Sequence, residues 1–305
     1  MATLAKEAAD AAKAEGEAPW RRLVNDFCRS PLAVFGLVVF LIVVLVAVFA
    51  SQISPQNPYD LNQLDIMDSR QPPGERSADG YVFWLGSDGQ GRDMLSAIFY
   101  GLRISLAVGV SSAVIALALG TTIGLMAAYF GGKVDTLLMR AVDIKLSFPS
   151  ILIALIIVAV LGSGVWKIVL ALVVVQWALY ARTVRGSALV ERRKEYVEAA
   201  RCLALSHSRI VFRHILPNCL PPLIVVGTVQ VANSIALEAT LSFLGIGLPI
   251  TEPSLGLLIA NGFEYMLSGQ YWISVFPGVA LLITIVSINL VGDQLRDILN
   301  PRLQK

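Results

Sequence analysis

The chain has 305 residues, of which 56% are hydrophobic and 15% charged, with a formal net charge of +2 and a mean hydropathy of +0.69. Soluble domains carry roughly 25% charged residues, so this composition excludes an ordinary soluble globule. The three scattered cysteines, Cys28, Cys202 and Cys219, and the two histidines, His207 and His214, argue against a disulfide framework, a Cys-x-x-Cys metal site and a histidine-based catalytic cluster.

Residues 1–19 are rich in Ala, Lys and Glu and read as a tail, extended to 1–30 by the basic residues Arg21, Arg22 and Arg29. The charge-free run from Pro31 to Ala50 is long enough to cross roughly 30 Å of hydrocarbon. A signal peptide would have a shorter apolar core and a small-residue cleavage site, so the run predicts a retained helix with its N-terminus inside. Ser51 to Arg103 is polar, contains Pro55, Pro58, Pro72 and Pro73, and predicts an extramembrane loop; 31–103 is thus one helix plus that loop. Five more apolar segments follow, at Ile104–Phe130, 140–161, 166–182, 217–247 and Tyr271–Gly292. They make a membrane domain at 104–293 with a cytosolic loop at 185–216, followed by a tail at 294–305.

The expected fold is therefore an all-α integral membrane protein with six transmembrane helices. With the N-terminus inside, 19 of the 24 Lys and Arg residues fall on the inner side, Lys145 and the run from Arg182 to Arg213 among them. The outer side keeps Arg70, Arg76, Arg92, Arg103 and Lys167. This asymmetry places both termini in the cytosol. Gly120 and Gly124 form a Gly-x-x-x-Gly pair, which lets helix backbones approach closely in lipid. Packing within the bundle or against a partner subunit is expected there in preference to a homodimer seam.

Gly86 to Asp93 has the look of a phosphate-binding loop, but it lacks the Lys-Ser/Thr that reaches the phosphates and it lies on the outer side. No Gly-x-Ser-x-Gly or His-Glu-x-x-His motif is present, and nothing in the sequence argues for covalent chemistry. Glu238 is the one acidic residue deep in an apolar run. Measured from Pro217 it lies roughly 30 Å along a helix at 1.5 Å per residue, close to the outer leaflet. It is either an interface residue satisfied by water or helix ends, or a lining or gating residue of a pathway.

A polar, basic, helix-forming island runs from Glu195 to Asn218 inside this apolar chain. Arg192 to Leu203 are good helix formers, with Lys194 and Glu198 spaced to pair across one turn. Ala199 and Ala200 leave a shallow surface that another protein can approach. Ser206 suits the N-cap of a second short helix ending near His214, and Pro217 suits the first turn of the next span. The expectation is a helix, a bend, a short helix and re-entry into the membrane.

Glu198-Ala199-Ala200, the small residue Ala204 and Ile215-x-Pro217 resemble the EAA signature of membrane subunits in bacterial ABC importers. More narrowly, the chain is similar from Trp20 to Arg302 to the C-type permease subunit of the dipeptide, oligopeptide and nickel group, which also includes glutathione importers. The likeness includes Gly86-Ser-Asp88 with Gly91-Arg92-Asp93, Gly101-x-Arg103-x-Ser105-Leu106, Tyr129-Phe-Gly131-Gly132 and Leu241-Ser-Phe-Leu-Gly245-x-Gly247. It ends with Gly292-Asp293-x-Leu295-Arg296-Asp297 and Asn300-Pro301.

The resemblance implies a type I importer permease fold in the bacterial inner membrane, and a non-catalytic subunit that pairs with a second, homologous permease. It implies two ATP-binding subunits below, an extracytoplasmic solute-binding protein above, and no nucleic acid. ATP and Mg would bind the partner subunits, leaving no cofactor and no metal in this chain. Glu198, Ala199, Ala200, Arg201, Ala204, Ile215 and Pro217 would form the coupling segment that sits in a groove of the ATPase, with Glu238 as a candidate pathway or gate residue.

Three positions depart from the family pattern. Ala204 stands where the signature has Gly, at a cost of roughly 1–2 kcal/mol if the position is left-handed. Asn300 replaces the usual Asp, and Pro249–Gly256 lacks the aromatic Pro-x-x-Trp-Gly form. Di- or oligopeptides are the family's default substrate, with nickel, glutathione, opines and oligosaccharides open. A gradient-driven transporter should instead show inverted repeats, paired intramembrane charges or broken helices, which only Glu238 suggests, and a scaffolding membrane protein is the other rival.

Overall fold

A computed structural model describes residues 19–77, 80–249 and 252–299. The expectations for residues 1–18 of the N-terminal tail and for the Asn300-Pro301 ending lie outside the described residues; within the rest of that tail, Pro19–Cys28 is helical. The helices are α1 (Pro19–Cys28), α2 (Pro31–Val48), α3 (Ala50–Ile53), α4 (Met94–Phe130), α5 (Gly132–Ser147) and α6 (Ser150–Leu161). They are followed by α7 (Val165–Glu191), α8 (Glu195–Cys202), α9 (His207–Arg209), a π-turn (Ile210–Ile215), α10 (Leu216–Phe243), α11 (Leu255–Phe263) and α12 (Trp272–Leu299). No strand of a sheet occurs among the described residues; two isolated bridges, Arg76 with Val82 and Ser87 with Asp93, stitch the outer loop.

Five helices are long and apolar enough to span: α2, α4, α7, the continuous stretch His207–Phe243, and α12. The sixth crossing is broken, because α5 and α6 meet at 90°. Pro149 causes the break. It pushes the preceding residue Phe148 into extended backbone (φ −95°, ψ 141°) and withholds the N–H that a continuing helix needs. α5 leaves the inner end of α4, whereas Ala154 and Val158 of α6 pack on Val108 and Ile168 towards the outer ends of α4 and α7. The pair therefore carries the chain across the bilayer.

Ser30 caps α2 by accepting from the Ala33 amide, with Pro31 in the first turn, where its missing N–H costs nothing. α2 is apolar on every side and buries only a strip, Ala33, Gly36, Val43 and Ala47. At Gly36 an added Cβ would lie 2.7 Å from Cβ of Leu290 in α12. α4 and α7 are joined most closely of all. A Cβ at Gly120 would stand 2.3 Å from the Trp177 carbonyl oxygen, and one at Gly124 would stand 2.4 Å from that of Ala181. The Gly-x-x-x-Gly pair thus serves packing inside the bundle, as favoured from the sequence.

α4 starts well before the expected Ile104. Its first turns bury Met94, Ala97, Ile98 and Leu102 with Trp272, Ile273 and Leu255. Interspersed Ser96 and Arg103 mask this amphipathic stretch in hydropathy. The loop before it is a folded cap: Gln56 accepts from the Asp93 amide (2.6 Å) and donates to Gln63 O and Tyr81 OH. Asp93 caps α4 through the Ser96 amide and hydroxyl, and burial raises its carboxyl above the ordinary value. Asp88 and Arg92 form a buried ion pair at 2.6 Å, and Trp272 donates to Ser87 O. Gly86 to Asp93 is thus the keystone of this cap. α11 was not expected from the sequence; Ser254 caps it, and nine residues are too short for a span by hydropathy.

Candidate functional site

On the cytosolic side, α8 begins at Glu195, three residues later than expected, because Lys194 is its extended N-cap (φ −78°, ψ 149°). Lys194 bonds to Glu198 through its backbone carbonyl, not its side chain. Its ammonium pairs with Glu191 instead, at 2.7 Å, and the expected Lys194–Glu198 pair is corrected accordingly. Glu195 and Glu198 occupy the first turn and Arg201 the last, which suits the helix dipole at both ends.

α8 turns Val197 and Ala200 inward against Ala188, Ile210, Val211, Ile215 and Cys219, and leaves Glu198, Ala199 and Arg201 exposed. Of the two small residues expected on a shallow open surface, only Ala199 lies there; Ala200 lets α8 approach the bundle. The bend after α8 places Ala204 at φ +52°. The conditional cost of a Cβ in the left-handed region therefore applies, roughly 1–2 kcal/mol.

The chain re-enters at His207 after the Ser206 N-cap position, but no separate short helix forms. α9, the π-turn and α10 are continuous. The π-turn has an identifiable cause: Pro217 cannot donate, and its ring would clash with the carbonyl four residues back, so one wider turn relieves it. The Asn218 side-chain amide donates to the His214 carbonyl at 2.8 Å beside the bulge. Ile215 is buried and Pro217 exposed, so the two members of the signature face opposite ways.

Side-chain contacts that the sequence gave no reason to expect tie this segment to the bundle. Tyr196 OH donates to Glu191 (2.8 Å) and accepts from Asn218 (3.1 Å). Burial, and then Glu191, push its phenol up to about 12. Arg192 caps the inner end of α4 by donating to the carbonyls of Ala128 and Tyr129. Arg201 lies over the Tyr129 ring, 5.4 Å from its centroid, and Tyr129 OH meets His207 Nδ1 at 2.7 Å.

Glu238 lies far from this surface and is wholly buried. Its carboxyl group accepts from Ser105 of α4 at 2.9 Å and Ser242 of α10 at 2.8 Å; the Ser254 hydroxyl at the start of α11 lies beside it. It lines neither of the two polar cavities nearest to it. The outer one, about 480 Å³, is lined by Asp88, Ser242, Asn261 and Glu264 among others.

The other polar cavity, about 440 Å³, lies between α5, α7 and α10 and is lined by Lys145, Ser150, Gln176, Gln230, Asn233 and Thr240 with apolar neighbours. Gln176 and Asn233 each sit roughly 15 Å below the outer end of their helix at 1.5 Å per residue, well inside the bilayer. The bend at Pro149 brings Lys145, counted with the inner charges from the sequence, to this level. Polar side chains within apolar runs were the available signal for this cavity. Only the fold shows that they converge.

Residues 120–305 match the model of the binding-protein-dependent transport system inner membrane component, and residues 18–73 match the N-terminal transmembrane domain of oligopeptide transport permease C. The chain belongs to this permease family. A dipeptide transport system permease protein of Alkalihalophilus pseudofirmus is 34% identical, with 94% of this chain and 91% of that protein covered. A glutathione transport system permease protein of Pectobacterium atrosepticum is 36% identical, with 94% and 92% covered. The fold is similar to that of a chain of the inward-facing MetNI methionine ABC transporter, with a TM-score of 0.55 at 21% identity, covering 68% of this chain and 98% of that one. The permease is thus a multi-pass, non-catalytic inner-membrane subunit of an ABC importer with the type I fold.

Proposed function

We propose that this permease serves an ATP-driven importer of di- or oligopeptides, pairing with a second, homologous permease, two ATP-binding subunits and an extracytoplasmic binding protein. Relatives named for dipeptide and glutathione transport support the substrate class. The observation that carries the assembly is the cavity at Lys145, Gln176 and Asn233, which opens on the surface of the single chain inside the membrane. Polar groups facing lipid are expensive, so a second subunit closes that face and makes the cavity half of a translocation path.

Glu198, Ala199, Arg201 and Ala204 are the exposed contact with the ATPase. Ala200 and Ile215 anchor the segment to the bundle, and Pro217 sets the turn that links it to α10. ATP and Mg bind the ATPase subunits, and closure of those subunits moves α8. The Glu191–Tyr196–Asn218 bonds transmit the motion to α10, so a ligand on another chain biases a two-state membrane element. Glu238 acts as a gate latch, holding α4, α10 and the start of α11 together at the outer end of that path.

The assembly is tested by tagging the permease, extracting it in mild detergent from its native membrane and identifying what co-purifies. A second six-helix permease and one or two Walker-motif ATPases are expected. Recovery of a lone chain or a homodimer, under conditions that keep other importers intact, would overturn the reading. The coupling role is tested by Glu198→Arg combined with Ala199→Trp: the variant should fold and reach the membrane yet lose uptake, and full uptake would sink it.

A further inference from the structure

Lys145 is a half-buried cation in the last turn of α5. It has neither an ion pair nor a side-chain hydrogen bond among the described residues. Asp143, two residues away on the same helix, is already engaged with Arg182. No Asp or Glu lines the cavity that Lys145 enters. A cation held at membrane depth without a counter-ion is rare and marks a pathway.

The same cavity holds a second unspent group. Gln176 is almost fully buried, and its Nε2 donates to Ser234 at 2.6 Å. Its Oε1 has no partner, although buried acceptors are nearly always paired. Asn233 and Gln230 bond to each other across the rim at 2.8 Å. The wall thus offers one ammonium that needs an anion and, enclosed behind it, one amide oxygen that lacks an N–H. A carboxylate next to an amide N–H, the C-terminal end of a peptide, supplies both.

We infer that Lys145 and Gln176 form a recognition site in this permease for the free carboxylate end of a peptide, with Lys145 Nζ donating to the carboxylate and the enclosed Gln176 side chain turning to let Oε1 accept the neighbouring N–H. This rests on the peptide-importer reading above. It also makes the membrane subunit a specificity filter, in addition to the binding protein. The positive charge attracts an anionic solute into a low-dielectric cavity, where fields are focused.

The test uses the complete assembly, purified with its own partner chains and reconstituted in liposomes. It is offered an equimolar mixture of di- to pentapeptides with free carboxylates and their C-terminal amides, and vesicle contents are read by mass spectrometry. Uptake of each peptide is divided by its separately measured occupancy of the binding protein. Lys145→Gln should lower uptake of the free-carboxylate set by roughly tenfold, as loss of one hydrogen bond to a charged group implies, and should leave the amides as in the wild type. Lys145→Arg should retain uptake and Lys145→Glu should reverse the preference.

The Arg and Gln variants can be compared on free-carboxylate peptides alone, so the test stands even where the binding protein admits no amide. A role for Lys145 only in completing the α5 terminus would lower both sets by the same factor. That result overturns the proposal, as does a Gln variant with unchanged uptake. Absence of ATP-dependent uptake of either set by the wild type would overturn the peptide reading itself, and this site with it.

Discussion

Two ionisable residues of the membrane domain, Glu238 and Lys145, are held in opposite ways. Glu238 is enclosed by hydroxyls from three elements, Ser105, Ser242 and Ser254, and touches no open volume. Lys145 stands in an open cavity with no counter-ion beside it. A buried charged group with every partner in place fastens a structure and is costly to remove. One left without partners inside the membrane adds little to the fold and is available to a passing solute. The contrast separates a fastening from a binding site, although both residues are single charges within apolar sequence.

The largest effect should come from breaking the fastening. Glu238→Leu leaves the Ser105 and Ser242 hydroxyls without their acceptor, and should lower the unfolding free energy by roughly 2–3 kcal/mol, read as thermal unfolding of the purified assembly in detergent. Glu238→Gln, which keeps an acceptor oxygen, should lose less; equal losses would mean that the serine cage is not what holds the site.

Removing one contributor at a time sharpens the same point. Ser105→Ala and Ser242→Ala should each cost about 1 kcal/mol, the net value of one hydrogen bond, measured in the same unfolding experiment. Both should vanish in the Glu238→Leu background, since the acceptor is gone.

A backbone counterpart lies in the bend after α8. Ala204 sits at φ +52°, and Ala204→Gly should stabilise that bend by about 1 kcal/mol, seen as slower amide exchange over 195–210. A destabilised bend would show that the Cβ makes a contact outweighing the strain.

The smallest change in stability belongs to Lys145. Lys145→Gln should shift the unfolding free energy by no more than about 0.5 kcal/mol, as for a side chain that packs against little, while its effect on uptake is large. A loss comparable to that of Glu238→Leu would erase the distinction between the two residues.

Some of this was legible in the chain itself. Pro31 to Ala50 could only be a span, and Glu195 to Asn218 could only lie at a membrane surface, since apolar length and charge asymmetry act residue by residue. The left-handed strain at Ala204 was foreseen on condition, from one missing glycine. What hydropathy could not register were elements whose burial depends on neighbours elsewhere in the chain. The first turns of α4 and the whole of α11 are covered by one another and by the start of α12. Lys194 was assigned the wrong partner because the helix began one residue after it, and an i,i+4 rule holds only inside a helix.

The sequence by itself determined that this is a membrane protein of six crossings with a polar, basic segment on the cytosolic side and basic residues mostly inside, because those properties are sums over local segments. The tertiary structure alone decided which charges are spent. Lys145 and Gln176 lie on separate helices, and Pro149 had to break the crossing at 90° to bring them to one cavity. Glu238 needed α4, α10 and the start of α11 to meet before its partners existed. Convergence of side chains from distant segments is a property of packing, and no window along the chain contains it.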